Sequence, residues 1–329
     1  MKRPVLGLTI GDPAGVGPEI CIKVLSRKEV AGICRPVLYG DEGVLRRAME
    51  VVPTPVELHR IGQAAEFRDG VMNVISLDNM PDPWEYGRVQ AACGRAAFEY
   101  IVRAVEDAKQ GKIAGVVTGP INKESMNMAG MHYAGMTEVF AELTGTKDYS
   151  MMLTGGPLKV IHVSTHLSMR EAVERVKKER VLRVIRLADA SLRDLGYARR
   201  RIAVAGLNPH SGENGLFGVE EAQQVIPAIE AAKGEGLDVT GPVPPDTVFM
   251  KAATGMFDIV VAMYHDQGHI PLKLLDFMGG VNVTVGIPVI RTSVDHGTAF
   301  DIAGKGTADE TSMVKAIELG VQFALNRRI

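Results

Sequence analysis

The chain has 329 residues, 46% hydrophobic and 23% charged, with a formal charge of −2 at neutral pH. That is the ordinary balance of a soluble globular protein, long enough for two α/β domains, and it gives no global electrostatic reason to expect nucleic acid or an anionic membrane as partner. An anionic ligand must then be held by a local cluster.

The N-terminal apolar run stops at Gly11–Asp12. It is too short for a signal-peptide core and far short of the roughly 20 residues of a membrane span. Cys21, Cys34 and Cys93 are odd in number and not closely spaced, which argues against a disulfide framework. A cytoplasmic protein is the expectation.

In chain order, VLGLTI (5–10), RPVLYG (35–40), IAGVVTG (113–119), VIHVST (160–165), RIAVAGLN (201–208), DIVVAMY (258–264) and VNVTVGI (281–287) read as buried strands. Each is continuous in polarity and does not alternate. Helical patterns lie between them at about 87–110, from Ser168, and at about 180–195, 219–234 and 311–327. Ser168 and Glu171 have the spacing of a capping box. The alternation predicts an α/β fold of largely parallel sheets in two layered halves with a cleft between them. The Gly- and Met-rich stretch from Gly119 to Glu138 reads as a crossing or a protruding arm. The expected domains are 1–125 plus 301–329, and 126–300.

Three apolar strands end in polar groups: VIHVSTH at His166, VAGLNPHSG at Asn208 and His210, and VVAMYHDQGH at His265. Carboxyl ends of parallel strands line ligand crevices, so three imidazoles delivered this way can converge on a divalent metal such as zinc, cobalt or manganese. Taken alone, any one of them reads equally as a hydrogen-bonded strand-end residue. Asp246 is either a metal-side carboxylate or a helix N-cap, and Asp266 stands beside His265 as a supporting carboxylate.

GDPAGVGPE (11–19) follows the first strand, and its Gly15 and Gly17 let backbone N–H groups approach an anion. The pattern G-x-G-x-x-G is absent, so this is not a Rossmann site. A third stretch, from Arg291 to Asp309, is too polar for a core element and carries Asp295, His296, Asp301 and Lys305. Lys273 and Arg291 are cations able to grip a carboxylate or phosphate, with Asn282 a neutral donor. The methionine clusters read as packing, and Trp84 receives no role.

Together, TIGDPAGVGPEI, TGPINK, VSTH, GLNPHSGENG, YHDQGHIPLK and RTSVDHGTAFDIAGKG resemble the 4-hydroxythreonine-4-phosphate dehydrogenase family, in order along essentially the whole chain. The loop His296 to Gly306 is also similar to the cofactor loop of isocitrate and isopropylmalate dehydrogenases. The resemblance implies that fold and an NAD (alternatively NADP) site at Gly15, Gly17, Asp295, His296, Gly297, Asp301 and Lys305. It further implies a divalent metal (zinc, or cobalt, manganese or magnesium) on His166, His210 and His265, shared across a homodimer so that one ligand comes from the partner chain. Thr137, Lys273, Asn282 and Arg291 fall on substrate contacts.

Two departures bear on the substrate. Met136 replaces a histidine of the biosynthetic members, and GHIPLK, with His269, resembles the catabolic branch, which acts on 4-phosphorylated threonate or erythronate. The implied reaction is NAD- and metal-dependent oxidative decarboxylation of a 4-phosphorylated 3-hydroxy acid, with 4-phospho-D-threonate favoured. Lys273 is the first candidate for proton transfer, and Asp246 or Asp266 the second. The alternatives are 4-hydroxythreonine 4-phosphate, an aromatic cis-dihydrodiol carboxylate and, from another class, phosphate acyl transfer on a related fold.

Overall fold

The computed structural model describes residues 3–327. The chain divides into two compact units, Met1–Thr146 with Ile287–Leu325 and Lys147–Gly286 with Asn326–Ile329. Strands β1 (Val5–Thr9), β2 (Arg35–Gly40), β3 (Leu58–Arg60), β4 (Met72–Ser76) and β5 (Gly115–Thr118) lie in the first unit. Strands β6 (Ser150–Gly155), β7 (Leu158–His162), β8 (Ile202–Ala205), β9 (Val239–Val243), β10 (Ile259–Ala262) and β11 (Val281–Val285) lie in the second, and β12 (Ile290–Val294) returns to the first.

The first unit orders its strands β3-β4-β2-β1-β5-β12, every neighbouring pair parallel. The second orders them β11-β6-β7-β10-β8-β9, antiparallel through β11-β6-β7 and parallel from β7 to β9. Both units are therefore α/β.

All seven apolar runs form strands, because a strand covered on both faces needs no polar side. In the second unit Leu153, Val160, Ala203, Val260 and Ala262 build a core with Val248, Phe249 and Leu272 from the covering helices. Helix Lys178–Asp194 buries Val181, Val184, Ile185, Ala188 and Leu192, a helical stripe, and each large apolar side chain so buried contributes about 1.5–3 kcal/mol. Helix Met169–Arg175 begins with the expected capping box of Ser168 and Glu171.

The expected boundaries at 126 and 300 are corrected to Thr146 and Ile287. Helix Lys123–Met128 packs on helix Ala91–Lys109 at Gly94, where a Cβ would sit 2.1 Å from the Ser125 carbonyl oxygen. Tyr133 stacks on Phe98 at 6.0 Å, so this segment is anchored on the first unit. Strand β12 pairs in parallel with β5, which draws 290–294 into the same sheet. It was not legible as a strand because it carries Arg291, Thr292 and Ser293, all buried. The two hydroxyls find partners inside the protein: Thr292 Oγ1 donates to the Ala316 carbonyl at 2.8 Å, and Ser293 Oγ donates to the Thr118 carbonyl at 3.3 Å.

Candidate active site

Strands β7, β10 and β8 are adjacent and parallel, with Val260 opposite both Val160 and Ala203. Their carboxyl ends deliver His166, His265 and His210 respectively. Polar bonds lock these ends together. The Val163 N–H donates to the Ala262 carbonyl at 2.8 Å, and Ser164 Oγ to the Met263 carbonyl at 3.1 Å. Buried Gln267 bridges β10 to β8: it accepts the Met263 N–H at 2.6 Å and donates Nε2–H to the Gly206 carbonyl at 2.8 Å.

His265 opens helix His265–Leu275, and its Nδ1 lies 2.6 Å from Asp266 Oδ1. A carboxylate only accepts, so Nδ1 carries the proton and Nε2 the lone pair, which is the tautomer a divalent cation requires. The His166 ring lies 5.8 Å from that of His265. His269 stacks on His265 at 3.5 Å and its Nδ1 lies 2.9 Å from the His265 carbonyl, one helical turn back.

Behind them His162 is fully buried, its Nδ1 3.2 Å from the Met151 carbonyl. Burial, reinforced by His269, pushes its pKa down to about 3, so it is a neutral wall of the cluster. A Cβ at Gly268 would lie 2.5 Å from His162 Nε2, so the helix can approach this wall only through a glycine.

His210 is placed differently. It sits in a left-handed turn in which His210, Ser211, Glu213 and Asn214 have φ of 51°, 57°, 42° and 55°. Each such residue costs about 1–2 kcal/mol relative to the right-handed form, so the turn must be held by its surroundings. Its ring neighbour is Phe217, at 6.3 Å. Among the described residues no three His, Cys, Asp or Glu side chains are grouped to hold a metal. The expected convergence of three imidazoles on one point is thus corrected for the single chain: the structure brings His166 and His265 together and leaves His210 out.

Lys273 follows His265 and His269 at helical spacing on one face, and its Nζ lies 5.3 Å over the Phe277 ring. Asn282 Nδ2 donates to Met151 Sδ at 2.9 Å. Asp246 is exposed in the first turn of helix Pro245–Ala253, whose N-cap is Pro244. The N-cap alternative for Asp246 is therefore wrong: Pro245 takes the first helical position, so the cap is Pro244, two residues before Asp246.

In the first unit, Arg291 is 2% exposed, donates Nη2–H to Thr118 Oγ1 at 3.0 Å and lies 5.5 Å from the Phe140 ring. Burial lowers its pKa to about 9, opposed by Glu138 and Asp295. Thr137 is buried and Met136 half-buried at the start of helix Met136–Leu143, which also carries Glu138 and Phe140.

The two glycine-rich stretches of this unit form one structure. The Val16 N–H donates to the Thr298 carbonyl at 3.0 Å, and a Cβ at Gly15 would lie 2.9 Å from Thr298 Cβ. Gly17 lies against the Ile10 carbonyl, 2.0 Å from where its Cβ would be. Buried Glu19 accepts the Gly304 N–H at 2.5 Å and the Gly306 N–H at 2.8 Å. His296, Gly297, Asp301 and Lys305 are exposed along this loop, and Asp295 is half-buried. The Lys305 Nζ donates to the Asp301 carbonyl at 2.6 Å.

Residues 32–320 match the family model described as pyridoxal phosphate biosynthetic protein PdxA. The chain belongs to the PdxA family. It is 50% identical over 326 residues to D-threonate 4-phosphate dehydrogenase of Pectobacterium atrosepticum, covering 97% of this chain and 99% of the relative. It is also similar to the crystal structure of 4-hydroxythreonine-4-phosphate dehydrogenase from Klebsiella pneumoniae, with TM-score 0.89, 50% identity and coverage of 98% of this chain and 100% of that one. A terephthalate 1,2-cis-dihydrodiol dehydrogenase from Burkholderia xenovorans is more distant, with TM-score 0.70, 31% identity and 98% of each chain covered.

Within this PdxA-family chain, the residues that sequence reading missed are those that hold others. Glu19 ties the two glycine-rich stretches, Gln267 ties two strand ends, and His162 walls the histidine cluster. Glu19 was visible only as an acid at a helix start, Gln267 only as part of the polar stretch YHDQGHIPLK, and His162 only as a member of an apolar run.

Proposed function

We propose that the chain oxidises a 4-phosphorylated hydroxy acid at its C3 hydroxyl, with NAD as hydride acceptor and loss of carbon dioxide. The favoured substrate is 4-phospho-D-threonate. The observation that carries the reading is the pair His265 and His166, 5.8 Å apart beyond two adjacent parallel strands, with His265 held by Asp266 in the metal-ready tautomer. The likeness to the D-threonate 4-phosphate dehydrogenase of Pectobacterium atrosepticum supports the substrate class.

His166 and His265 would hold a divalent cation together with His210 of the partner subunit. When bound, the cation supplies Lewis acidity that lowers the pKa of a hydroxyl and stabilises developing enolate charge. Lys273, on the same helical face as His265, is positioned to move the hydroxyl proton or orient the carboxylate, and Asp246 is the further carboxylate candidate. Arg291 and Thr137 would take the anionic end of the substrate, a buried guanidinium being worth most where water is excluded, and Asn282 would donate to it. The glycine-rich pair of stretches, with Gly15, Gly17 and the loop from Asp295 to Lys305, would take the dinucleotide. Oxidation at C3 places a carbonyl β to the carboxylate, and loss of carbon dioxide leaves a phosphorylated hydroxyketone one carbon shorter.

A homodimer is supported by surface chemistry. Leu167 and Met169 beside His166, Leu216 and Phe217 beyond His210, and Leu274 on the His265 helix are exposed apolar side chains of the second unit. Exposed apolar side chains of this kind are what an interaction surface is built from. 4-Hydroxythreonine 4-phosphate is the second reading, supported by the name of the Klebsiella relative and disfavoured by Met136, whose thioether is a weak hydrogen-bonding group. The test is NADH formation on both phosphorylated acids, with and without chelator. Faster chelator-sensitive turnover of 4-phospho-D-threonate is expected; activity on neither acid with metal present would sink the substrate class.

A further inference from the structure

The turn that carries His210 adopts a backbone conformation that residues with side chains rarely hold, continuing through Gly212 at φ 82° and Gly215 at φ 97°. Its anchor is a buried carboxylate. Glu221 is 3% exposed. Its Oε1 accepts the N–H groups of Leu207 at 2.8 Å and Asn208 at 2.7 Å, and its Oε2 accepts Asn208 Nδ2–H at 2.9 Å. Gly212 packs against the same group: a Cβ there would lie 2.8 Å from Glu221 Oε2. Asn208 Nδ2 is also 2.8 Å from Glu220 Oε2, and the Ser211 N–H donates to the Asn208 carbonyl at 3.1 Å.

Glu221 itself opens a π-helical turn, Glu221–Val225, ahead of helix Ile226–Gly234. Single π-turns within helices are frequent at functional sites, and here the turn belongs to the element that aims this carboxylate at the base of the His210 turn. Two oxygens are needed for these three donors. A glutamine offers one acceptor oxygen and turns an NH2 toward donor groups, so it cannot satisfy the set.

We propose that Glu221 is a positioning residue for His210: its carboxylate fixes the left-handed turn so that the imidazole is presented preformed to the metal. The proposal rests on the reading of His210 as a metal ligand. Outer-shell partners of metal ligands change affinity ten- to a hundredfold when removed.

The test compares wild type, E221Q, H210A and the double variant as folded, metal-stripped dimers. Zinc affinity is measured by chelator competition, and amide hydrogen exchange is read at Leu207 and Asn208. E221Q is expected to weaken zinc binding ten- to a hundredfold and to raise exchange at those two amides at least tenfold, with β8 and β10 still protected. H210A should lose at least as much affinity, and E221Q added to it should lose little more, because the two act through one ligand. Should E221Q fail to fold, N208A removes only the side-chain bonds and should give the same two changes at smaller size. Wild-type zinc affinity in a folded E221Q, or a loss additive with H210A, would overturn the proposal. If H210A binds zinc as wild type does, the metal reading fails and takes this role with it, an outcome told apart by the exchange result.

Discussion

Asp266 Oδ1 lies 2.6 Å from His265 Nδ1, on consecutive residues at the start of one helix, and this contact sets which ring nitrogen carries the lone pair. The pair is well exposed, so it contributes little to folding and much to ligand geometry. D266N should melt within a degree or two of wild type and bind zinc ten- to a hundredfold more weakly by chelator competition. Equal loss of melting temperature and metal affinity would instead mean a purely structural role.

Gly268 meets His162 Nε2 and Val160 Cγ1 at 2.5 and 2.6 Å from where its Cβ would be. Alanine in an ordinary helix position gains about 0.5–1 kcal/mol over glycine, whereas overpacking a tight wall costs about 1–3 kcal/mol. The larger effect wins, so G268A should destabilise the protein, measurable as a lower urea midpoint at unchanged m-value. A raised midpoint would show that the helix can move off His162 freely.

Asp12 is fully buried beneath the first glycine-rich turn, where its Oδ1 accepts the Ala14 N–H at 2.9 Å. Burial raises its pKa from 3.8 to about 6, against the lowering influence of Ala14 and Ser125. The folded state therefore holds a proton that the unfolded state has lost, and stability from this group falls as pH rises from about 4 to about 6. The slope is at most about 1.4 kcal/mol per pH unit. D12N keeps the acceptor and removes the titration, so denaturant melts across that window should show a flatter profile than wild type. An unchanged profile would mean that Asp12 is ionised in the folded protein.

Leu274 and Phe277 are 83% and 69% exposed, so charging them leaves the folded chain's own core untouched. L274E combined with F277E is expected to give a folded monomer by sedimentation, with metal content lost along with the dimer. A stable dimer in the double variant would place the interface elsewhere, and a monomer that keeps its metal would end the shared-site reading.

The legible parts were those written in local pattern. Continuous apolar runs marked seven strands, and polar residues immediately after three of them marked where His166, His210 and His265 emerge. Strand β12 was hidden because Arg291, Thr292 and Ser293 read as surface residues, whereas each is buried and hydrogen-bonded inside the protein. Strand β6 was hidden by methionines that read as packing. The separation of His210 from the other two histidines depends on a left-handed turn, and although PHSGENG contains the glycines and asparagine such a turn favours, nothing in it names Glu221, which holds the turn from outside. Tertiary hydrogen bonds of this kind link residues with no shared period.

Metal-dependent oxidative decarboxylation is tested with protein stripped of metal, reconstituted with zinc, cobalt, manganese or magnesium, and supplied with 4-phospho-D-threonate and NAD. NADH and carbon dioxide are then quantified in the same sample. Equal amounts of both are expected with at least one metal, and neither in the stripped protein. NADH formed at full rate by the stripped protein, or no NADH with any of the four metals, would contradict it.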